Sequence, residues 1–312
     1  MQDTGVSDAA RPRPADGGDA AIPERNRAEQ DTATQESATG SIDFGRYYYE
    51  HACGGAPYER SPLWLTFFDR LADQIVEQLA PTRVLDAGCA IGMLVEKLRE
   101  RDVEAWGVDI SEWAISQAHE SVKPYLAVGS LVDPLPAGLP EHYDLVTCIE
   151  VVEHMQPAES KAAIRRLGNL GDRIFFSSSP TDFAEPTHVN VQAQEHWSVL
   201  FARTGHFRNP DYVVGYPTPW TTLYERASSD LGEVVRRYDR KLIQMGHELR
   251  DIRQTALNLQ DRLTHLAATD AALEHVKALE AELVVARRLL GSRSGRMLRA
   301  YHAARGKLRR RA

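Results

Sequence analysis

The run Val84-Leu85-Asp86-Ala87-Gly88-Cys89-Ala90-Ile91-Gly92 constrains this chain more than any other feature. Its apolar start reads as a buried strand, its glycines mark a tight turn, and a helix follows. A second strand then closes in Trp106-Gly107-Val108-Asp109-Ile110-Ser111. Strand, turn, helix and a strand ending in a carboxylate begin a doubly wound α/β sheet, which binds ligands beyond its strand C-termini. Gly88 and Gly92 would let the backbone come close to a ligand. Asp109 stands where such sheets set an acid against a ribose diol. The turn-to-acid spacing is about the 20 residues of a dinucleotide fingerprint. The middle glycine of that fingerprint is missing and Asp86 precedes the turn, which points to a different nucleoside ligand.

Two later segments extend the pattern. Tyr125-Leu126-Ala127-Val128-Gly129-Ser130-Leu131 reads as a third strand running into a loop. Tyr143-Asp144-Leu145-Val146-Thr147-Cys148-Ile149-Glu150 reads as a central strand, continued by Val151-Val152-Glu153-His154-Met155. Four motifs in this order over residues 84–155 resemble class I S-adenosylmethionine-dependent methyltransferases, with Ala90 in place of one family glycine. The resemblance implies a Rossmann-like methyltransferase sheet. It also implies that Asp86 acts through the amine side of the cofactor and that Asp109 accepts both ribose hydroxyls. Ser130 stands where the family often has an acid for the adenine amino group. The implied cofactor-binding set is Asp86, Gly88, Cys89, Ala90, Gly92, Asp109, Ile110, Ser130, Leu131 and Glu150.

The chain has 312 residues, longer than one typical domain, and its 43% hydrophobic content is unevenly spread. Residues 1–41 hold almost no large apolar side chains, so they are expected to stay disordered and lack the apolar core of a signal peptide. No apolar run reaches the roughly 20 residues of a membrane span. Cys53, Cys89 and Cys148 have no metal-ligand spacing and suggest no disulfide framework. A reducing, cytoplasmic setting is the expectation, with peripheral attachment to the inner membrane face as an option. The catalytic domain is placed at residues 42–225. Within it, a helix over Pro62–Leu79 is predicted, ended by Pro81, and a final strand near Tyr212–Tyr216. Tyr58 and Arg60 could meet a cofactor carboxylate or an anionic substrate, or belong to an aromatic brace.

Methyl transfer to a hydroxyl requires the alcohol to lose its proton, to a general base or after a metal lowers its pKa. Glu150, Glu153 and His154 fall at i, i+3 and i+4, one side of a helical turn. His188, in Pro186-Thr187-His188-Val189-Asn190, follows the strand Ile174–Ser179. Together Glu150, Glu153, His154 and His188 offer two carboxylates and two imidazoles that could hold Mg2+. The grouping resembles the metal-binding motif of small-RNA 2′-O-methyltransferases and ubiquinone-pathway O-methyltransferases. His154 or His188 as a direct base is the competing reading. The helix Ala193–Phe201 carries Trp197, which is read as core packing; Trp220 could stack on a sugar. The stretch His188–Phe207 and the Cys53-Gly54-Gly55-Ala56-Pro57-Tyr58 segment resemble methyltransferases of bacterial surface-polysaccharide biosynthesis.

From Glu233 to Leu290 there is no proline and one glycine, Gly246. Leu242, Met245, Leu249, Ile252, Ala256, Leu259, Leu263 and Leu266 alternate by three and four, a coiled-coil seam. It shifts register after Asp270 and resumes at Leu273, Val276, Leu279 and Leu283. The coiled coil is placed at 226–290; continuous over Glu233–Leu290, such a helix would be about 90 Å long and would expose its seam, so a homo-oligomer is expected. Residues 291–312 are basic and weakly amphipathic, suited to an anionic membrane surface. With a net charge of −7 and no recognisable module, nucleic-acid binding is not expected.

The expected architecture is therefore an α/β methyltransferase domain followed by a long α-helical coiled coil. The expected activity is O-methylation of a sugar hydroxyl on a surface glycan or glycolipid precursor. The alternatives are a small-metabolite, quinone-type O-methyltransferase and a non-catalytic scaffold that keeps the cofactor domain.

Overall fold

The computed structural model describes residues 43–51, 53, 56–212, 216–227, 230–266 and 273–291. The expected disordered segment 1–41 and all of the basic tail from residue 292 lie outside the described residues. The chain divides into two compact units between Glu59 and Arg60. In the first, helix α1 (Arg46–His51) stacks Tyr47 on His51 and pairs Arg46 with Glu50, 2.6 Å apart. The Tyr58 N–H donates to the Tyr49 carbonyl at 2.8 Å.

The second unit opens with α2 (Pro62–Leu79), which has the predicted bounds. Phe68, Leu71, Ala72, Ile75 and Leu79 recur every three or four residues and form its buried face. The helix stops at Ala80, which turns into the left-handed region (φ 42°), because Pro81 disfavours helical geometry in the residue before it. Then come β1 (Arg83–Ala87), α3 (Met93–Arg99), β2 (Glu104–Asp109), α4 (Glu112–Gln117), β3 (Leu126–Val128) and β4 (Leu145–Ile149). They are followed by α5 (Pro157–Leu170), β5 (Arg173–Ser177), α6 (Gln194–Ala202), β6 (His206–Arg208) and β7 (Thr222–Arg226).

The strands form one seven-stranded sheet in the order β3-β2-β1-β4-β5-β7-β6. The first five are mutually parallel, while β7 runs antiparallel to both β5 and β6. Strands β1 and β4 are apolar on both faces, as parallel strands covered by helices must be. Val146, Cys148, Ile164, Leu167, Phe176, Trp197, Phe201 and Tyr224 pack into one core cluster. Burial of Ile164 and of Leu167 contributes about 1.5–3 kcal/mol each. Trp197 is a core side chain, and Cys89 and Cys148 are buried as expected. Strand order reverses between β1 and β4, which opens the crevice at their C-terminal ends.

Two expectations need correction. The final strand is Thr222–Arg226, preceded by the short β6, and does not lie near Tyr212–Tyr216. The Asn209 side-chain oxygen accepts the backbone N–H groups of Asp211 and Tyr212, a turn that carries this stretch out of the sheet; residues 213–215 lie outside the described residues. The C-terminal region is also not one continuous rod. It consists of α7 (Leu231–Leu266) and α8 (Leu273–Gly291), packed against one another. Ala256, Leu259 and Leu263 of α7 bury against Leu279, Leu283 and Ala286 of α8, flanked by Ile252 and Val276. The Arg287 guanidinium donates across the pair to Gln260 Oε1 at 2.8 Å. The distal part of the predicted seam, Ile252 to Leu263, is thus covered within the chain. Among the described residues, no helix is long and apolar enough to cross a membrane.

Candidate active site

The crevice is built from strand ends. Asp86 lies one residue from the end of β1, and parallel register sets Ala87 beside Val108, so Asp86 and Asp109 share the same sheet edge. Both carboxyls are buried. Asp109 Oδ2 accepts the Ala90 N–H and Oδ1 accepts the Ser111 N–H, each at 2.8 Å. A carboxylate offers about four acceptor sites, so Asp109 keeps capacity for a diol hydroxyl beyond its backbone donors. Burial raises the Asp109 pKa, opposed by these backbone donors. Asp86 Oδ1 accepts the Thr147 hydroxyl at 2.7 Å. Burial, against that single bond and with Asp109 nearby, pushes its pKa up to about 7.

The turn between them runs through left-handed backbone at Gly88 (φ 86°), Ala90 (φ 49°) and Gly92 (φ 77°). A Cβ on Gly88 would lie 2.4 Å from Val151 Cγ2, and one on Gly92 would lie 2.6 Å from Leu126 Cδ1. These glycines are therefore demanded by backbone conformation and by packing against the chain itself, a reason different from the ligand approach expected from sequence. Cys89 is buried beneath the turn, while Ile110 beside Asp109 is exposed. Past β3, the Ser130 hydroxyl accepts the Val132 N–H at 3.3 Å, and Leu131 is buried. A buried acid raised by desolvation, next to a second acid with spare acceptor capacity, fits an amino-acid-bearing nucleoside such as S-adenosylmethionine. Arg60 takes a different place from the one expected, donating through Nε (3.1 Å) and Nη2 (2.6 Å) to the buried Glu96 on α3.

Beyond β4 the structure departs from the helical-face expectation. Glu150 is itself left-handed (φ 54°), and only Val152–His154 form a single 3-10 turn before α5 begins at Pro157. Glu150, Glu153 and His154 therefore do not line one helical face. Glu150 Oε1 accepts the Ser177 hydroxyl at 2.6 Å and the Trp220 indole N–H at 2.8 Å. Glu153 is fully buried; Oε1 accepts the Ser179 N–H at 3.1 Å and Oε2 makes no hydrogen bond. Burial, reinforced by the Glu150 charge, holds its pKa well above the carboxylate range. His154 and His188 meet edge to face with centroids 4.6 Å apart. Burial and the His188 neighbour, opposed by the Thr187 carbonyl, bring the His154 pKa down to about 4. His188 Nδ1 lies 2.9 Å from the Asp182 carbonyl.

The four proposed metal ligands are neighbours but do not fit a preformed Mg2+ site. Among the described residues, no group of three or more His, Cys, Asp or Glu is placed to hold a metal ion. Glu153 is turned into the interior, and each imidazole commits Nδ1 to the loop after β5. Sequence reasoning missed Ser177, Trp220 and Thr187 as partners of these residues. Ser177 and Trp220 lie 27 and 70 residues from Glu150, beyond any local pattern.

Residues 58–211 match the family model described as a methyltransferase domain. The ubiquinone biosynthesis O-methyltransferase of Nitrosospira multiformis is 36% identical over 126 residues, 39% of this chain and 51% of that protein. Its counterpart from Chromobacterium violaceum is 35% identical over 126 residues, 39% of this chain and 52% of that protein. The chain thus spans about half the length of the curated relatives it matches. A magnesium protoporphyrin IX methyltransferase from Synechocystis, solved with bound S-adenosylhomocysteine, is 22% identical with a TM-score of 0.41, covering 52% of this chain and 82% of its own. The segment Tyr58–Asp211 is a methyltransferase domain of the class I, S-adenosylmethionine-dependent type.

Proposed function

We propose that this chain transfers a methyl group from S-adenosylmethionine to a hydroxyl oxygen of a small, ring-bearing acceptor of the quinone-precursor type. The cofactor, when bound, supplies an electrophilic methyl on a sulfonium sulfur. Asp109 holds the ribose hydroxyls, and Asp86 meets the ammonium group, which draws its buried carboxyl back into the ionised form. His154, neutral at pH 7, takes the proton that the acceptor hydroxyl loses as its oxygen forms the new C–O bond. The methyl carbon would exchange its bond to the sulfonium for one to the acceptor oxygen, with a neutral thioether as the leaving group.

The observation that carries this reading is the pair of buried acids, Asp86 and Asp109, at adjacent strand ends. The curated relatives, named as O-methyltransferases of ubiquinone biosynthesis, favour a quinone-precursor hydroxyl over the sugar hydroxyl preferred from sequence. Phe183, 75% exposed, and Val189 add apolar surface to the loop that bears His188, which suits a ring better than a polar glycan. The test is transfer of labelled methyl to a catechol-type quinone precursor and, in parallel, to a vicinal-diol glycan. Labelling of the catechol and loss of cofactor binding in Asp109→Ala are expected. Labelling of the glycan alone would restore the sugar reading, and cofactor binding unchanged in Asp109→Ala would remove the ribose assignment.

A further inference from the structure

Trp220 lies beyond the family-matched segment, which ends at residue 211, yet the fold brings it to the crevice edge of the sheet. Thr222, the first residue of β7, pairs with Phe176 near the C-terminal end of β5. The loop before β7 therefore sits at the edge where the parallel strands β4 and β5 both end. Glu150 follows β4 directly, and its neighbour Val151 packs where a Cβ on Gly88 of the first turn would stand. The Trp220 indole N–H reaches across β5 to Glu150 Oε1 at 2.8 Å. Glu150 takes left-handed backbone there (φ 54°), a conformation that non-glycine residues adopt most often at ligand sites.

The loop is pinned from several sides. The Tyr216 hydroxyl donates to the Phe67 carbonyl of α2 at 2.7 Å, and the Gln74 amide donates to the Tyr216 carbonyl at 3.3 Å. The Thr218 and Thr221 hydroxyls lie 2.9 Å apart, and the Gln194 amide of α6 donates to the Trp220 carbonyl at 3.0 Å. Trp220 is half-buried, its N–H is satisfied, and among the described residues no aromatic ring stacks on it. A held indole gives a flat ring apolar contact at little ordering cost. A sugar stacked there would need partners for its remaining hydroxyls, whereas the Ser177 hydroxyl and the indole N–H are both spent on Glu150. We propose that Trp220 is the specificity-determining residue for the acceptor, stacking on the flat face of an aromatic ring that carries the hydroxyl.

This inference deepens the proposed methyl transfer and rests on it, so its first test reads binding without turnover. Full-length protein saturated with S-adenosylhomocysteine is titrated with catechol and with cis-cyclohexane-1,2-diol, a diol without the flat ring. Wild type should bind catechol about tenfold more tightly than the saturated diol. Trp220→Leu should lose about tenfold for catechol and nothing for the saturated diol, while Trp220→Phe stays within about threefold of wild type. S-adenosylhomocysteine affinity should not change in either variant. In nitrogen-15 spectra of the wild type, the Trp220 indole signal, assigned by its absence from Trp220→Phe, should move with catechol; this arm stands even where Trp220→Leu does not fold. Equal affinity of the wild type for both diols, wild-type catechol affinity in Trp220→Leu, or an unmoved indole signal at saturating catechol each overturns the assignment. If catechol binds through Trp220 but receives no methyl, the stacking site stands and the proposed reaction falls. Methylation of catechol with an unchanged KM in Trp220→Leu does the reverse.

Discussion

At the residue scale, burial decides what the two acids of the crevice do. Asp86 is ionised in the unfolded chain above about pH 4 but neutral in the fold up to about pH 7. A raised carboxyl contributes stability that is fully present below the unfolded pKa and is lost as pH rises through the folded one. Asp86→Asn keeps the acceptor for Thr147 and removes this loss. In urea unfolding it should be the more stable protein at pH 8, by up to about 4 kcal/mol, with the gap closing toward pH 4. The proposed contact with the cofactor ammonium would reverse the shift, so binding near pH 6 should release a proton, seen as a buffer-dependent enthalpy in calorimetry. Equal enthalpies in buffers of different ionisation heat would remove Asp86 from the amine site. Ala90 presents the opposite case, a β-carbon where the backbone is left-handed. Ala90→Gly relieves about 1 kcal/mol of strain and adds a similar entropy to the unfolded chain. Its melting temperature should stay within a few degrees of wild type.

At the element scale, single polar side chains join segments that the hydrophobic pattern alone leaves adjustable. Asp144, just before β4, accepts the Thr82 N–H and hydroxyl at 2.8 and 3.0 Å and the Arg83 N–H at 3.0 Å. It sets the start of β1 against the start of β4. Asp144→Ala should lower stability by about 1–3 kcal/mol in denaturant titrations, with cofactor affinity retained in the folded protein. The strands, α2 and the first turn were legible because burial on both faces, helical spacing and glycine punctuation are local signals. The geometry after β4 was not. The i, i+3, i+4 spacing of Glu150, Glu153 and His154 suits a helix, but Ser177 and Trp220 hold Glu150 in a left-handed conformation from distant positions. A sequence window cannot contain those partners, so the helical-face and metal-cluster expectations lost their geometry together. Chelator should therefore leave turnover unchanged; loss of activity restored by Mg2+ would mean that the four side chains rearrange around the ion.

At the scale of the whole molecule, the C-terminal seam decides how the chain meets other copies. The heptads mark a stripe that must be covered, yet periodicity does not say by what. Here α8 covers the distal part of α7, removing Ile252, Ala256, Leu259 and Leu263 from the surface that argued for an oligomer. Leu259→Ala should destabilise the helical pair by about 2–4 kcal/mol, at a melting point independent of protein concentration. A concentration-dependent melt in the wild type would show that a second copy shares the seam. S-adenosylmethionine affinity should survive the substitution, because the crevice is built from β1, β2 and β4.

By itself, the sequence determined the kind of sheet and the place of Asp86 and Asp109 at its strand ends, since these follow from near-neighbour periodicity and turn chemistry. Tertiary structure decided why Gly88 and Gly92 must be glycine, how Glu150 and His154 are held, and which helix covers the C-terminal seam. Those outcomes depend on contacts between residues tens of positions apart, where packing and buried hydrogen bonds override any local preference.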